Sequence, residues 1–598
     1  MLTIKTVLKL WSYLLPKRRY QFFLILLLLL LSATFEALTL FSILEVLEIL
    51  SVNNLDKLVD SNFWDFYSSM NFNFIGFKLF SLLSFLILIS TSTVLKILSV
   101  FYSSRFASLI GKDMSKLTFD TTIRLPYKNQ INLNKPHFIS ILTDKLTQIV
   151  SMIMALLTIL LNLLFAFFII LSIAFINFKI TFTLITLLSL VYFAIVFKVK
   201  AQLSNVGSIL SLNASKRIEA VTETLLNIKD VIIGQRYNYF NKKFGFSSKK
   251  IFEKKAEGEL LRNIPKPIVE STGIILIAAV GYYFSEIDDF NSENILPLLA
   301  TFAVGFQRLL PNLQSIYSSW TRISVAKASV ISVLKVLDKY NKKDDINNSK
   351  LEVPEIELQK WNLEFKNVFF KYESNVSNTL SNVNFTIRSG ERIGIIGESG
   401  SGKSTLVDLL GGLLQPTEGE VVLNGFNIHD KEKSEYLLTW WSNLSLVPQE
   451  TFLSNSSIYK NINPLSDDKD KDLINQDSYV WDILKSVGLF KFVDKLPKKL
   501  ETLVGANGSL LSGGQKQRIV IAKALYKKSK IIIFDESTSS LDFKNEKLFL
   551  ETISKLDKNL TIIMISHKYS SLSFCNRIFK IDSKNINEIS RTDFKNNF

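Results

Sequence analysis

The first 320 residues carry six long, strongly apolar stretches, near 22–50, 79–101, 150–175, 180–199, 268–284 and 295–317. Crossing ~30 Å of hydrocarbon takes ~20 helical residues, and a backbone in lipid must satisfy every N–H and C=O within itself. Each stretch is therefore expected to be a membrane-spanning helix. The first follows Lys17-Arg18-Arg19 and passes the small residues Ser32-Ala33, as a cleavable leader would, but its apolar character continues too far for that reading. Hydrophobic residues make up 47% of the chain, with 46 Phe, in keeping with a membrane protein. At 598 residues the chain also exceeds what one core can serve.

Charge sets the orientation. Between the second and third stretches stand Arg105, Lys112, Lys116, Arg124, Lys128, Lys135 and Lys145, and the segment between the fourth and fifth is richer still in Lys and Arg. Between the fifth and sixth stand only the acids Glu286, Asp288, Asp289 and Glu293. Positive residues stay inside, which puts both termini and the two long loops in the cytoplasm. Those loops have helical rather than disordered patterning: Thr222 to Phe240 spaces its apolar residues helically around Gly234. They are either extensions of the spans or peripheral surface helices.

The formal charge of +16 admits a nucleic-acid partner, a face held against anionic lipid, or a Lys-rich solvated surface. Basic residues are dispersed, with no compact run interleaved with aromatics, so no nucleic acid is expected. Cys575 is the single cysteine, which excludes an intramolecular disulfide and a cysteine-based metal site. His137, His429 and His567 are widely separated, so any metal is expected on oxygen ligands.

After Trp320 hydropathy falls, and Lys342-Lys343-Asp344-Asp345 with Asn347-Asn348-Ser349 reads as part of a linker over 321–360. From Trp361 to the end, residues 361–598, the pattern is that of a soluble α/β domain. Leu363–Phe370, Arg392–Ile396, Lys530–Phe534 and Thr561–Ile565 are expected strands.

Gly397-Glu398-Ser399-Gly400-Ser401-Gly402-Lys403-Ser404 fits G-x-x-x-x-G-K-[ST], follows an expected strand and opens a helix through Thr405 to Leu410. Glycines at these positions let backbone N–H groups wrap around phosphates at a helix N-terminus. Lys403 would place its ammonium on the outer phosphates, and Ser404 would supply an oxygen to Mg²⁺. Downstream, the apolar run Ile531–Phe534 ends in Asp535-Glu536. Asp535 is placed to orient Mg²⁺ and its water, and Glu536, just past the strand end, to polarise a water attacking the γ-phosphate. A lone Asp-Glu would be weak evidence; paired with the glycine loop it points to ATP hydrolysis.

Leu511-Ser512-Gly513-Gly514-Gln515, followed by Lys516-Gln517-Arg518, resembles the signature of ABC (ATP-binding cassette) proteins; by itself it would also serve as a Gly-bearing helix cap. The resemblance implies that two cassettes meet head to tail, with Ser512, Gly513, Gly514 and Gln515 of one closing on the γ-phosphate held by the other. It further implies that Tyr372 stacks on adenine, and that Gln449 senses Mg²⁺ and contacts the membrane connectors. Asp542, in Ser540-Leu541-Asp542, would lie at the dimer seam, and His567 would hold the γ-phosphate and the attacking water. The implied catalytic set is Lys403, Gln449, Glu536 and His567, and the implied Mg²⁺ set is Ser404, Gln449 and Asp535. One departure is Ala506, which stands where exporters of this family often carry an acid before the signature.

Six spans, long loops and one cassette, in this order, resemble an exporter-type half-transporter: a multi-domain membrane protein with an all-α six-helix transmembrane domain and an α/β P-loop domain. Residues 1–320 would form the first and 361–598 the second. Two chains must pair, and with no degenerate site residue a homodimer is the simpler expectation, a heterodimer the alternative. A bacterial inner membrane is the expected location, with the ATP-binding domain cytoplasmic.

Cargo is written less clearly. Glu36, Lys96 and Arg308 lie within the apolar stretches, where a charge costs ~2.5–3.5 kcal/mol on insertion scales. Lys96 can snorkel to an interface, and Arg308 can pair with an acid to brace the bundle; Glu36 and Arg308 are also candidate substrate contacts. Ser32-Ala-Thr-Phe-Glu36-Ala together with Phe306-Gln-Arg308-Leu-Leu-Pro311 is similar to bacterial flippases for lipid-linked oligosaccharides. A flippase or exporter of an amphiphilic, lipid-linked saccharide is therefore the first expectation. A multidrug, lipid or peptide exporter comes next, and an ATP-gated regulatory protein after that. The segment from Ser51 to Gly76, with Leu55, Leu58, Val59, Phe63, Phe66 and Tyr67 at helix-like spacing, either guides a lipid tail or forms a lid.

Overall fold

The structure, a computed structural model, describes residues 2–51, 77–176, 178–285, 292–340, 360–373, 377–430, 434–465, 477–537 and 543–590. The segment 52–76, the acids Glu286, Asp288 and Asp289, and the stretch 341–359 lie outside the described residues. The chain divides into two compact units. One holds Met1–Leu125 and Leu133–Lys342; the other holds Pro126–Asn132 and the chain from Lys343 onward.

The first unit is helical. Its long members are Pro16–Ser51, Phe77–Ile123, Leu146–Ile176, Phe178–Leu226, Tyr237–Asn263, Pro265–Ser285 and Ser292–Tyr340, and all six apolar stretches fall on them. Among the described residues, Pro16–Leu40, Lys78–Ile123, Lys135–Phe175 and Thr181–Leu226 are long and apolar enough to cross a membrane, by length and composition. Phe77–Ile123 and Phe178–Leu226 have 47 and 49 residues. At 1.5 Å per residue these reach roughly 70 Å, more than twice the hydrocarbon thickness, so each is long enough to hold a span and its extension in one helix.

Two expectations need correction. Thr222–Phe240 is not one helix: Phe178–Leu226 ends, Ile228–Ile233 forms a short turn of helix, and Tyr237 opens the next. Gly234 closes the short helix, where an added Cβ would meet the Asp230 carbonyl oxygen at 2.8 Å, and Gln235 reverses the chain with φ 50°. The second concerns 321–340, expected as linker. Ser292–Tyr340 continues through it as helix, burying Ile323, Ala326, Val330, Val333, Leu334 and Leu337 at helical spacing. The drop in hydropathy after Trp320 marks a change from an all-apolar helix to one with a single apolar face.

The charged residues of the apolar stretches find partners. Arg308 Nη1 donates to Thr39 Oγ1 at 2.6 Å and to Glu36 Oε1 at 3.5 Å, while Ser92 Oγ donates to Glu36 Oε2 at 2.9 Å. Three helices, Pro16–Ser51, Phe77–Ile123 and Ser292–Tyr340, are thereby tied at one level. Lys96 lies over the Phe165 ring, 5.0 Å from its centroid, a cation–π contact. Elsewhere helices touch backbone to backbone: a Cβ on Gly207 would come within 2.4 Å of the Val325 carbonyl oxygen.

The second unit is built on two sheets. Strands β1 (Asn362–Phe370), β2 (Leu380–Arg388), β4 (Glu418–Leu423) and β5 (Phe426–Asn427) form an antiparallel sheet in the order β2-β1-β4-β5. The other runs β10-β9-β3-β8-β7-β6, with β3 Arg392–Gly397, β6 Leu444–Val447, β7 Ile531–Asp535, β8 Thr561–Ser566, β9 Arg577–Asp582 and β10 Asn585–Ile589. All its pairings are parallel except β9 with β10. Strands this apolar along their whole length suit a parallel sheet covered on both faces. Alternation then serves two cores: Ile531, Ile533, Ile563 and Ile565 pack into one, and Ile532, Phe534, Ile562 and Met564 into the other. Cys575 is buried in the second core, and burial pushes its thiol up to about 12.

Because Arg308 and Glu36 are largely buried, removing one leaves the other without its counter-charge. Arg308→Ala should lower stability by about 2–3 kcal/mol, somewhat below the ~3–5 of a fully buried pair. Thermal unfolding in detergent checks this. The double change Glu36→Gln with Arg308→Met should recover most of the loss, and an unaltered Tm in Arg308→Ala would contradict the bracing role.

Candidate nucleotide site

Parallel register assembles this site. Ile396 of β3 pairs with Ser566 of β8, and Asp535 of β7 with Ile565 of β8, so the three strands end side by side. The glycine loop after β3, Glu536 after β7 and His567 after β8 therefore emerge at one sheet edge, the carboxyl end where α/β sheets receive ligands.

The loop's shape depends on its glycines. Gly400 and Gly402 have φ of 81° and 104°, and a Cβ on Gly402 would press to 2.9 Å from Leu380 Cδ2. Helix Lys403–Leu410 starts immediately after. Glu398, Ser399, Gly400 and Ser404 are exposed, whereas Lys403 and Thr405 are buried. Lys403 Nζ donates to the Gly397 and Glu398 carbonyl oxygens, each at 2.9 Å, and lies 3.3 Å from Glu536 Oε1. Gln449 Nε2 donates to Glu536 Oε2 at 3.1 Å. Four sequence-predicted residues, Gly397, Lys403, Gln449 and Glu536, thus meet in one cluster.

Glu536 has φ 42°, in the left-handed region, and its N–H still donates to the Ile565 carbonyl at 2.9 Å. This single reversal ends the strand at Asp535. Burial and the neighbouring Glu536 raise the Asp535 carboxyl above its ordinary range, with Lys403 opposing. The buried Ser401 hydroxyl oxygen makes no hydrogen bond. An unpartnered buried hydroxyl, two left-handed glycines and a buried ammonium form a cradle that fits phosphate, and the oxygens of Ser404, Gln449 and Asp535 are chemically suited to a hard divalent cation such as Mg²⁺.

Tyr372 sits beside the loop, its hydroxyl 3.2 Å from Thr405 Oγ1 and its ring edge-on to Phe370 at 4.9 Å. Ser512 caps helix Gly513–Tyr526 in a reciprocal capping box, with Gln515 N–H donating to Ser512 Oγ at 3.3 Å and Ser512 N–H to Gln515 Oε1 at 2.9 Å. An added Cβ on Gly513 would meet nothing within 4 Å, so this helix start is open. Gln517, further along the helix, donates to the Ser537 carbonyl just after Glu536. His567 is exposed, and Ala506 opens a tight turn in which Asn507 has φ 50°. Ser540, Leu541 and Asp542 lie outside the described residues.

Two neighbours escaped the sequence reading. Asp408, on the same helix as Thr405, has its carboxyl pushed up to about 6 by burial and by Asp535. Its signal was a single acid inside the apolar run Leu406–Leu414. Tyr127, on the short helix Tyr127–Ile131, packs against the core beneath the site, and burial with the charges of Asp408 and Asp535 and the nearby Tyr372 raises its hydroxyl. Lys128 beside it pairs with Glu373 at 2.9 Å. Pro126, which breaks the long helix, was the available clue.

The site and sheet together define a P-loop nucleotide-binding domain. Residues 380–539, from β2 past the acids that end β7, match the ABC transporter family model. The whole chain has the fold of an ABC exporter, helices and ATP-binding domain in one polypeptide. A solved bacterial Atm1-family ABC exporter with ATP bound superposes with TM-score 0.74 at 19% identity, over 97% of this chain and 96% of that one. The ATP-dependent lipid A-core flippase of Haemophilus influenzae is 30% identical over 329 residues, 54% of this chain and 53% of the flippase. The leukotoxin translocation ATP-binding protein LktB of Mannheimia haemolytica is 38% identical over 259 residues, 43% of this chain and 35% of LktB. The matches thus span about half of the flippase and about a third of LktB.

The raised Asp408 has a sign that can be tested. The folded state holds this proton more tightly than the unfolded chain does, so the associated stability is complete below about 4 and is lost as pH rises through about 6. Asp408→Asn, neutral throughout, should gain on wild type by about 1–2 kcal/mol at pH 7, after allowance for solvent screening, and by little at pH 4.5. Melting curves at the two pH values check this; an equal gap at both would remove Asp408 from the account.

Proposed function

We propose that two copies of this chain form an ATP-driven flippase that carries an amphiphilic, lipid-linked saccharide across a bacterial inner membrane, with the ATP-binding domains on the cytoplasmic side. The observation that carries this is the Lys403–Glu536–Gln449 cluster, on the same polypeptide as helices able to cross a membrane. A homodimer suffices, because each chain holds a full set of site residues.

In this reading the N–H groups of the glycine loop, the Lys403 ammonium and Thr405 hold the phosphates, and Tyr372 packs on adenine. Glu536 takes the proton of the attacking water, oriented by Gln449 and His567, which lie at the same sheet edge. Ser404, Gln449 and Asp535 hold Mg²⁺, which supplies charge neutralisation on the phosphates. Ser512, Gly513, Gly514 and Gln515 of the second chain close over the γ-phosphate, which suits the open space above Gly513. Asp542 contributes at the seam. Complete hydrolytic machinery favours pumping over ATP-gated regulation.

The name of the flippase relative supports a lipid-linked cargo, and Glu36 with Arg308 at the level of the bundle's polar tie is where a headgroup would meet charge. The likeness to LktB favours a peptide or protein cargo as the second reading.

Glu536→Gln should retain ATP binding and reduce turnover by about 10²–10⁴-fold, the usual contribution of a positioned base. Undiminished hydrolysis in the purified variant would remove Glu536 from that role. For cargo, wild type and Glu536→Gln are reconstituted in liposomes with a labelled lipid-linked saccharide on one leaflet. ATP-dependent movement in wild type alone is expected; equal, ATP-independent movement in both would sink the flippase assignment. A labelled peptide in the same assay tests the second reading.

A further inference from the structure

Lys145 is 2% exposed and lines a cavity of the helical unit. It lies in the helical unit, far in sequence from the P-loop, and the ATP-hydrolysing cluster makes no use of it. Lysines are seldom buried to this degree unless a counter-charge or a ligand meets the ammonium. The surroundings explain where the partner belongs. Lys145 lines a cavity of about 270 Å³ together with Arg217, Lys255, Gln148, Ser211 and Ser329.

The walls come from five helical segments of one unit, and they carry three cations against one acid, Asp144. Asp144 is already engaged, 3.7 Å from Arg217 Nη2. A further feature marks the place: Ile141–Lys145 is a π-helical turn between Lys135–Ser140 and Leu146–Ile176. Such a turn inserts one residue and rotates the downstream helix by about 100°, an irregularity that proteins retain mostly at functional sites. Here the inserted turn ends on Lys145.

We infer that this cavity is a binding site for a phosphate-bearing anion, a phosphomonoester or diphosphate group, held by Lys145, Arg217 and Lys255 with the hydroxyls of Ser211 and Ser329 and the Gln148 amide. Lys145 and Arg217 line a polar cavity that the exposed Lys255, whose ammonium rests over the Phe252 ring, borders as well; this donor set matches the charge and acceptors of phosphate, and the cavity admits one such group. The same chemistry reaches the site either on a lipid headgroup or as a free phosphoester. The inference stands on the helical unit alone and does not depend on which cargo is moved.

The test uses the full-length chain in detergent with Lys403→Ala, so that the P-loop does not contribute. Binding of inorganic pyrophosphate and of dihexanoyl phosphatidic acid is measured by calorimetry. Saturable binding of at least one probe is expected, weakened tenfold or more by Lys145→Met and threefold or more by Lys255→Gln, and kept within threefold by Lys145→Arg. Tighter binding of phosphatidic acid identifies a headgroup source, and tighter binding of pyrophosphate a free anion. Without either probe, Lys145→Met should melt at or above the temperature of the protein carrying Lys403→Ala alone, because it removes one of three neighbouring positive charges. No binding of either probe at 10 mM, or binding unchanged in both Lys145→Met and Lys255→Gln, would overturn the site.

Discussion

The parallel alignment of β3, β8 and β7 is the constraint on which the catalytic end of this protein depends. Their register brings Gly397, Ser566 and Asp535 to a common edge, and the loop, the histidine and the acids each follow from where a strand stops. Nothing local to the glycine loop would place Glu536 against Lys403, which it meets at 3.3 Å across 133 residues of chain. The sheet achieves this with apolar side chains alone. Ile, Phe and Met fill both faces, so the polar groups have only the strand ends to occupy.

How much could be read beforehand depends on this division. Runs such as Ile531–Phe534 and Thr561–Ile565 announced themselves as strands because a fully buried strand must be apolar throughout, and the glycine loop because few sequences satisfy its backbone. The resemblance of Leu511–Gln515 to a known signature then ordered the remaining residues. The hidden features depend on neighbours remote in sequence. Asp408 becomes unusual only once Asp535 lies opposite, and Tyr127 only once its short helix packs with the second unit. Thr222–Phe240 misled because its apolar spacing is helical on both sides of a break that Asn227, Gly234 and Gln235 impose. Hydropathy likewise ended the helical domain at Trp320 because it measures average composition, whereas the helix is sustained by one buried face.

The helical unit solves a different problem. Its interior is uniformly apolar over long stretches and offers little to fix the rotation of one helix on another. The polar tie of Glu36, Thr39, Ser92 and Arg308 supplies that fixing at one level, and the backbone contact at Gly207 supplies it at another. Between them Asn162 Nδ2 donates to Ser315 Oγ at 3.1 Å and the Tyr317 hydroxyl to the Leu261 carbonyl oxygen at 3.0 Å, further ties from helix to helix.

Cys575 has a practical corollary. As the chain's single thiol, enclosed in the second core and held protonated far above neutral pH, it is a poor target for maleimides or oxidants. The natural protein is in effect already a cysteine-free background for site-directed chemistry. A spin label or fluorophore introduced on either unit would report from its own position without competition, so movements of the chain can be followed in the unaltered sequence plus one residue.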